Sequence, residues 1–186
     1  MKATLLLKSD HKQILRALSV LEEMVARVQL GARPDATDVS GVVDFLNGFG
    51  DYHHQGREEF VVFPALLRDR GQKNYKELAG MIYEHNRQRS LLEGLQDSLL
   101  TRKTADFIYC ATTLIKILRE HVREEEDVLF PLIDAMFSPS EDERVAQGMT
   151  AYGRYFQDKE IPRLLSGLDE LESKYGTNPV MRSKLA

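Results

Sequence analysis

The chain has 186 residues, 42% of them hydrophobic and 29% charged, and its formal net charge is −4. Its one cysteine, Cys110, excludes an internal disulfide, and it excludes iron–sulfur clusters and thiolate zinc sites within a single chain. The negative net charge gives no general attraction to nucleic acid or anionic lipid, and the longest apolar stretch, around residues 107–118, is too short and too polar to span a bilayer.

Apolar residues recur at steps of three and four, which predicts a helical chain. In chain order, the pattern predicts four long helices over residues 9–30, 37–70, 73–100 and 104–137. The first carries its apolar stripe on one face, and Gly31 with Pro34 ends it. Four long amphipathic helices with short loops predict an all-α fold, an antiparallel up-down four-helix bundle with extra C-terminal helices.

The C-terminal part is predicted to form an appendage that packs on this bundle. Ser140 followed by Glu143 has the pattern of a capping box and predicts the start of a shorter helix. Pro162 suits the first position of a last helix, which ends at Gly176. We therefore expect a bundle over residues 1–137, an appendage over 138–176 and a flexible tail over 177–186.

An internal repeat relates the second predicted helix to the fourth. The sequence from His54 to Pro64 aligns without gaps with that from His121 to Pro131, and both have the pattern HxxxEExV(V/L)FP. The first and third helices resemble each other more weakly, through Asp10-His11 and Glu84-His85. The chain therefore looks like two helical hairpins, each with one histidine on its first helix and an HxxxE pair on its second.

The HxxxE spacing places both members of each pair on one helix face. Residues four apart lie about one turn from each other, so His54 points the same way as Glu58, and His121 the same way as Glu125. Apolar residues such as Val128 continue these faces, so we expect them to turn inward. Because burying an unpaired carboxylate is costly, two such carboxylates beside imidazoles require a cation between them.

Four of the five histidines and two glutamates form the candidate metal site: His11, His54, Glu58, His85, His121 and Glu125. A bundle core that receives one His or one HxxxE pair from each helix can hold two metal ions bridged by the carboxylates. Nitrogen and oxygen ligands without thiolate fit iron or manganese well and zinc less specifically. Ferritin-like centres place Glu three residues before His, a spacing that none of these histidines has.

The chain resembles the hemerythrin-like proteins, the HHE cation-binding group, over about residues 8–137. The residues that carry the resemblance are Asp10-His11, His53 to Glu59 with Phe63-Pro64, Glu84-His85, and His121 to Glu125 with Phe130-Pro131. The resemblance implies a four-helix bundle around a non-haem di-iron centre, bridged by an oxo or hydroxo group. By position, the four histidines would be terminal ligands, and Glu58 and Glu125 would be bridging carboxylates.

Two positions depart from the oxygen-carrying hemerythrins. Arg89 stands where those proteins have a second histidine on the third helix, and their last carboxylate follows its histidine by five residues, which is Glu126 here. We favour Glu125 because the repeat pairs it with Glu58, and Glu126 is the alternative. Such a centre has more open coordination than that of the carriers, which favours redox reactivity or sensing over stable oxygen carriage.

The neighbours of the six residues are expected to have other roles. His53 lies about 100° from His54 around the helix, so we expect it beside the site or at the surface. Glu59 and Glu126 are expected to face solvent or to support the ligands. Arg89 is expected either to pair with a carboxylate near the site or to extend to water.

Three functions fit this site. The first is a non-haem di-iron protein that binds or senses O2 or a related small molecule such as peroxide or NO, or that handles iron; the single thiol suits a cytoplasmic setting. The second is a di-iron enzyme that acts on peroxide or NO or donates iron for iron–sulfur cluster repair. The third is a metal-stabilised adaptor, in which the helices from Ser140 to Gly176 would contact a protein partner that the sequence does not identify. None of the three involves a nucleic acid or a membrane.

Overall fold

A computed structural model describes residues 2–70, 75–154 and 159–176. These residues are helical apart from short connections and include no strand, so the all-α prediction is confirmed. The α-helices are, in chain order, α1 Ala3–Gln29, α2 Ala36–Phe45, α3 Phe63–Arg70, α4 Tyr75–Thr101, α5 Thr104–Glu124, α6 Phe130–Met136, α7 Pro139–Ala151 and α8 Glu160–Tyr175.

The four bundle helices are α1, the continuous helical run 36–70, α4 and the continuous run 104–136. α5 packs against both α1 and α4, and the second bundle helix packs against α1 and α4. α1 begins six residues earlier than predicted, because Ala3 is buried in the core and its N–H donates to Asp142 at 2.9 Å. The predicted start of the third helix at Lys73 lies outside the described residues.

The second and fourth bundle helices each include π-helical backbone near the repeated motif. The π-helical segments are Leu46–Gln55, Glu58–Val62 and Glu125–Leu129. A π-helical turn is wider than an α-helical one, so residues beyond it move around the helix axis. The inward orientation expected of Val128 is therefore wrong: its exposed fraction is 62%, and the next residue, Leu129, is buried instead.

Two apolar clusters fill the bundle, one toward each end. The first includes Ile14 to Val28 of α1, and the second includes Ala3 and Leu7 of the same helix. His11 lies between these two stretches and is fully buried. The core of the bundle is thus apolar at both ends and polar in between.

The start of α7 corrects the predicted capping box. The N-cap is Ser138, whose side chain accepts from the N–H of Glu141, while Glu141 accepts from the N–H of Ser138. Ser140 and Glu143, the predicted pair, are two residues too late, because Pro139 takes the first helical position, where its missing N–H costs nothing.

Both C-terminal helices cover their apolar faces on the bundle. α8 packs on α1 and α2 and buries Leu164 and Leu168 in the first cluster, whereas α7 buries Val145 and Met149 in the second. α8 begins at Glu160, so Pro162 is its third residue rather than its first; the N–H at that position has no partner within a helix in any case.

The tail predicted over residues 177–186 lies outside the described residues. Within the described part of the chain, no helix has the length and apolar character to cross a membrane.

Candidate metal centre

The polar layer between the two apolar clusters contains all six predicted metal-site residues. None has an exposed fraction above 2%. α1 and α4 each contribute one histidine, and the second and fourth bundle helices each contribute the His and the Glu of an HxxxE pair. Neighbouring turns of four helices therefore supply this layer, as the repeat predicted.

The four histidines are arranged as two facing pairs. The Nε2 atoms of His11 and His54 are 3.2 Å apart, and those of His85 and His121 are 3.1 Å apart. The rings within each pair meet nearly edge to face, with interplanar angles of 63° and 72°. Each pair therefore directs two nitrogen atoms at one point in the core.

The two glutamates lie between the histidine pairs. Glu125 places Oε2 at 3.0 Å from the Nε2 of His11 and Oε1 at 3.2 Å from the Nε2 of His121. Glu58 places Oε2 at 3.7 Å from the Nε2 of His54 and 3.6 Å from that of His85. Each carboxylate thus contacts one histidine of each pair, as a bridging group would.

These atoms form two donor groups that share a residue. One group comprises Glu58, His85, His121 and Glu125, and the other comprises His11, His54 and Glu125; within each group, all ligand atoms lie within 4.8 Å of one another. The two donor groups are neighbours and have the carboxylate of Glu125 in common. Glu126, the alternative to Glu125, belongs to neither group.

A second set of carboxylates orients the histidines. Each Nδ1–H donates to an acid on another helix: His11 to Glu126 at 2.8 Å, His54 to Asp10 at 3.3 Å, His85 to Glu59 at 2.7 Å and His121 to Glu84 at 2.7 Å. A carboxylate can only accept here, so Nδ1 carries a proton, and in the neutral imidazole the lone pair of Nε2 faces the centre. This is the protonation that a metal-binding imidazole needs.

Asp10 and Glu84 had no role in the sequence prediction, although a signal for them was present. Each acid stands directly before a histidine of the centre, in Asp10-His11 and Glu84-His85. Adjacent residues on a helix point about 100° apart. In each pair the histidine therefore faces the core, and the acid faces a histidine on another helix: Asp10 faces His54, and Glu84 faces His121.

Burial and mutual charge perturb the pKa values of the centre strongly. Burial, with the charge of Glu125, raises the pKa of Glu58 well above its usual range. Burial alone would raise the pKa of Glu125, but His121 and His11 hold it well below that range. Burial alone would lower the pKa of His121, but Glu125 and Glu84 raise it well above 6.5. In the absence of a cation, the surroundings therefore favour the protonated forms of Glu58 and His121.

The donor atoms fit a cation better than they fit one another. Both oxygens of Glu58 are buried without a hydrogen-bond partner in the described part of the chain. Such orphaned oxygens are costly in a protein core. A metal ion beside the lone pairs of the imidazoles would satisfy them, so the residues fit a bound metal.

One half of the centre contains a buried cation that the other half lacks. Arg57 is buried and forms an ion pair with Asp10, the acid that orients His54. Burial lowers the pKa of Arg57 to about 10. In the repeat this position aligns with Glu124, which is exposed. Sequence reasoning missed Arg57, and this break in the repeat was the available signal.

The neighbouring residues take supporting positions. His53 is buried outside both donor groups, and burial together with His54 lowers its pKa to about 4. Arg89 pairs with carboxylates, one of the two alternatives expected for it: its Nε is 2.8 Å from Asp51, and its terminal nitrogen is 2.8 Å from Glu59. Because Glu59 also accepts from His85, Arg89 reaches the centre only indirectly.

Comparison with known proteins agrees with this geometry. The family model of the hemerythrin HHE cation binding domain matches residues 3–133, which is more than half of the chain and includes every residue of both donor groups. No curated protein and no solved structure is significantly similar to the chain.

Proposed function

The chain belongs to the hemerythrin HHE cation-binding family, and we propose that its buried centre holds two iron ions and uses them to bind or sense dioxygen or a related small molecule, such as peroxide or NO. The observation that carries the proposal is Glu58. Its carboxylate is fully buried among imidazoles, and neither oxygen has a hydrogen-bond partner within the described residues. A cation in contact with this carboxylate would offset the cost of burying it.

The two donor groups divide the ligands between the two ions. His11 and His54 would hold one ion and His85 and His121 the other; Glu125 would contact both, and Glu58 would complete the second group. When bound, iron supplies affinity for small redox-active molecules. The protein fixes the imidazoles through their Nδ1 contacts and surrounds the ions with apolar side chains that limit access of water.

The donor types support iron over other metals. Four nitrogen and two carboxylate ligands, without thiolate, suit iron and manganese, and zinc would bind with less selectivity. Six protein residues shared between two ions also leave coordination positions open. Open positions support the binding of a small molecule rather than a purely structural role for the metal.

Metal analysis of the purified, iron-loaded chain tests the proposal. We expect about two irons per chain, the count that two donor groups predict, and near-ultraviolet absorption of a bridged di-iron centre that changes when azide is added. Substantially fewer than two metals after loading, without such absorption, would contradict the di-iron proposal.

Turnover separates binding from enzymatic activity. If the chain binds or senses a small molecule, peroxide or NO should be taken up stoichiometrically with the iron centre. Sustained consumption of either molecule would favour the enzymatic alternative. For the adaptor alternative, the apolar faces of α7 and α8 already pack on the bundle, so a partner would have to bind their polar faces. Deleting α8 from a loaded chain would also expose the apolar residues of α1 and α2 that Leu164 and Leu168 cover, so surface substitutions are the better test.

A further inference from the structure

A small cavity lies next to the metal centre, about one helical turn along the bundle axis. Gln88, which lines it, is three residues after His85, and Leu118, which also lines it, is three residues before His121. At ~1.5 Å per residue these positions are ~4.5 Å from the histidine layer. The cavity measures ≈ 10 Å³, close to the smallest volume that accommodates one water molecule.

Two buried amides in the wall of this cavity have unused hydrogen-bonding atoms. Gln55 and Gln88 have exposed fractions of 3% and 2%, and the Nε2 of Gln55 donates to the Oε1 of Gln88. The Oε1 of Gln55 and the Nε2 of Gln88 have no partner among the described residues. Exchanging oxygen and nitrogen in both amides would again leave one donor and one acceptor. The two glutamines therefore offer one hydrogen-bond donor and one acceptor to a small molecule in the cavity, called the guest below.

The internal repeat shows that the bundle does not need this polar pair. Gln55 aligns with Val122, and Gln88 aligns with Ile14, when the motif histidines are superimposed in sequence. Both aligned residues are apolar and buried, and Ile14 itself lines the cavity. The repeat therefore accepts apolar side chains at these positions, whereas an amide in a core is costly unless its hydrogen bonds are satisfied.

The cavity has a polar outer wall. Asp51 and Arg89 also line it, and their side chains are partly exposed, at 28% and 29%. They form an ion pair across the second bundle helix and α4. The remaining wall is apolar and belongs to the first core cluster. A molecule that moves between the glutamine pair and solvent would therefore pass between the side chains of Asp51 and Arg89.

We propose that Gln55 and Gln88 bind one small neutral molecule that both donates and accepts hydrogen bonds, which is water in the resting protein, and that it exchanges with solvent past the Asp51–Arg89 pair. This water would lie about one helical turn from the histidine layer, so the site would supply it to the metal centre. The proposal that the guest site serves the centre rests on the proposed iron function. The existence of the site does not.

Crystal structures of the metal-free and the iron-loaded full chain, at a resolution that shows ordered water, test the site itself. We expect one density peak within hydrogen-bonding distance of both amides in the wild type and in Gln147→Met, a control on the exposed face of α7. The peak should be lost in the double variant Gln55→Met/Gln88→Met. An empty cavity in the wild type would overturn the proposal even if the double variant did not fold, and a peak that persists in the double variant would also overturn it.

The entry route is tested by the residence time of the bound water, measured in the metal-free chain by magnetic relaxation dispersion of oxygen-17 in the solvent. Asp51→Asn weakens the ion pair but leaves Arg89 on Glu59, so we expect a severalfold faster exchange. Asp44→Asn is the matched control, because Asp44 lies on the same bundle helix in an exposed ion pair with Arg163. Equal rates in both variants would refute this route. A chain that takes up no iron would refute the proposed function, while the density in the metal-free crystal would still decide the guest site.

Discussion

Adjacent glutamates on the fourth bundle helix allow a sharp test of the metal centre. Glu125 is fully buried in both donor groups, whereas Glu126 is 36% exposed at its side chain and accepts from the Nδ1 of His11. Glu124, one residue earlier, is exposed. Replacing each in turn by Gln keeps the shape and removes one negative charge. The three variants therefore differ only in where that charge is lost.

The expected losses differ by more than a factor of ten. Removing one member of a buried charged set costs about 3–5 kcal/mol, so Glu125→Gln should weaken binding of each ion by more than ~100-fold, at about 1.4 kcal/mol per tenfold. Loss of an orienting carboxylate costs ~10–100-fold. Because Glu126 is partly solvent-screened and Gln can still accept a hydrogen bond, Glu126→Gln should fall near the lower end, at the His11 ion only. Glu124→Gln should have no effect.

The assay is iron stoichiometry by elemental analysis, together with affinity from titration against a competing chelator. Circular dichroism of each metal-free variant controls for folding. If Glu126→Gln lost both irons while Glu125→Gln retained them, the fourth-helix carboxylate would be the one five residues after its histidine. The pairing of Glu58 with Glu125 through the repeat would then be the wrong guide to the ligand.

Further predictions concern pH, stability and the fifth histidine. The pKa values of Glu58 and His121 are raised in the metal-free chain, so loading with metal should release protons from these groups. Affinity should then decrease as the pH is lowered through their raised pKa values, by about tenfold per pH unit for each proton released. Calorimetry in buffers of different ionisation enthalpy that found no proton release would contradict this. Free iron at 100 times its dissociation constant should stabilise the fold by about 2.7 kcal/mol and raise the melting temperature by roughly 5–10 °C, so equal melting curves with and without iron would argue against buried carboxylate ligands. His53→Ala should keep the full iron content, whereas His121→Ala should lose it, and elemental analysis of the two variants distinguishes them.

Much of the architecture could be predicted because it depends on regular α-helical spacing. The apolar periodicity predicted the four bundle helices, and the gapless repeat predicted that His54, Glu58, His121 and Glu125 lie in one layer. The errors occur where the backbone departs from that spacing. Val128 was assigned to the core by counting α-helical turns, but the π-helical segment Glu125–Leu129 changes the phase, and side-chain type alone does not reveal such a segment.

The orienting residues were harder to predict because their partners lie on other helices. A pattern within one helix shows which residues share a face, but it does not show what an adjacent helix brings to that face. Asp10 contacts His54, 44 residues away, and Glu126 contacts His11, 115 residues away. Their carboxylates look like ordinary surface charges in the sequence. Only the assembled bundle shows that each one completes the environment of a histidine.

The departures from the repeat lie together, and this bears on how the centre is used. The six candidate ligands and the four orienting acids follow the two-fold pattern of the hairpins, so the repeat accounts for the paired arrangement of these residues. Arg57, Gln55, Gln88 and Arg89 do not follow it, and they lie on the second and third bundle helices. Symmetric ligands suffice to hold two ions, whereas a molecule that approaches them needs one defined side. Gln55, Gln88 and Arg89 cluster between the second bundle helix and α4, where they line one cavity. This clustering supports a centre that meets a small molecule there, over one that serves only to stabilise the bundle.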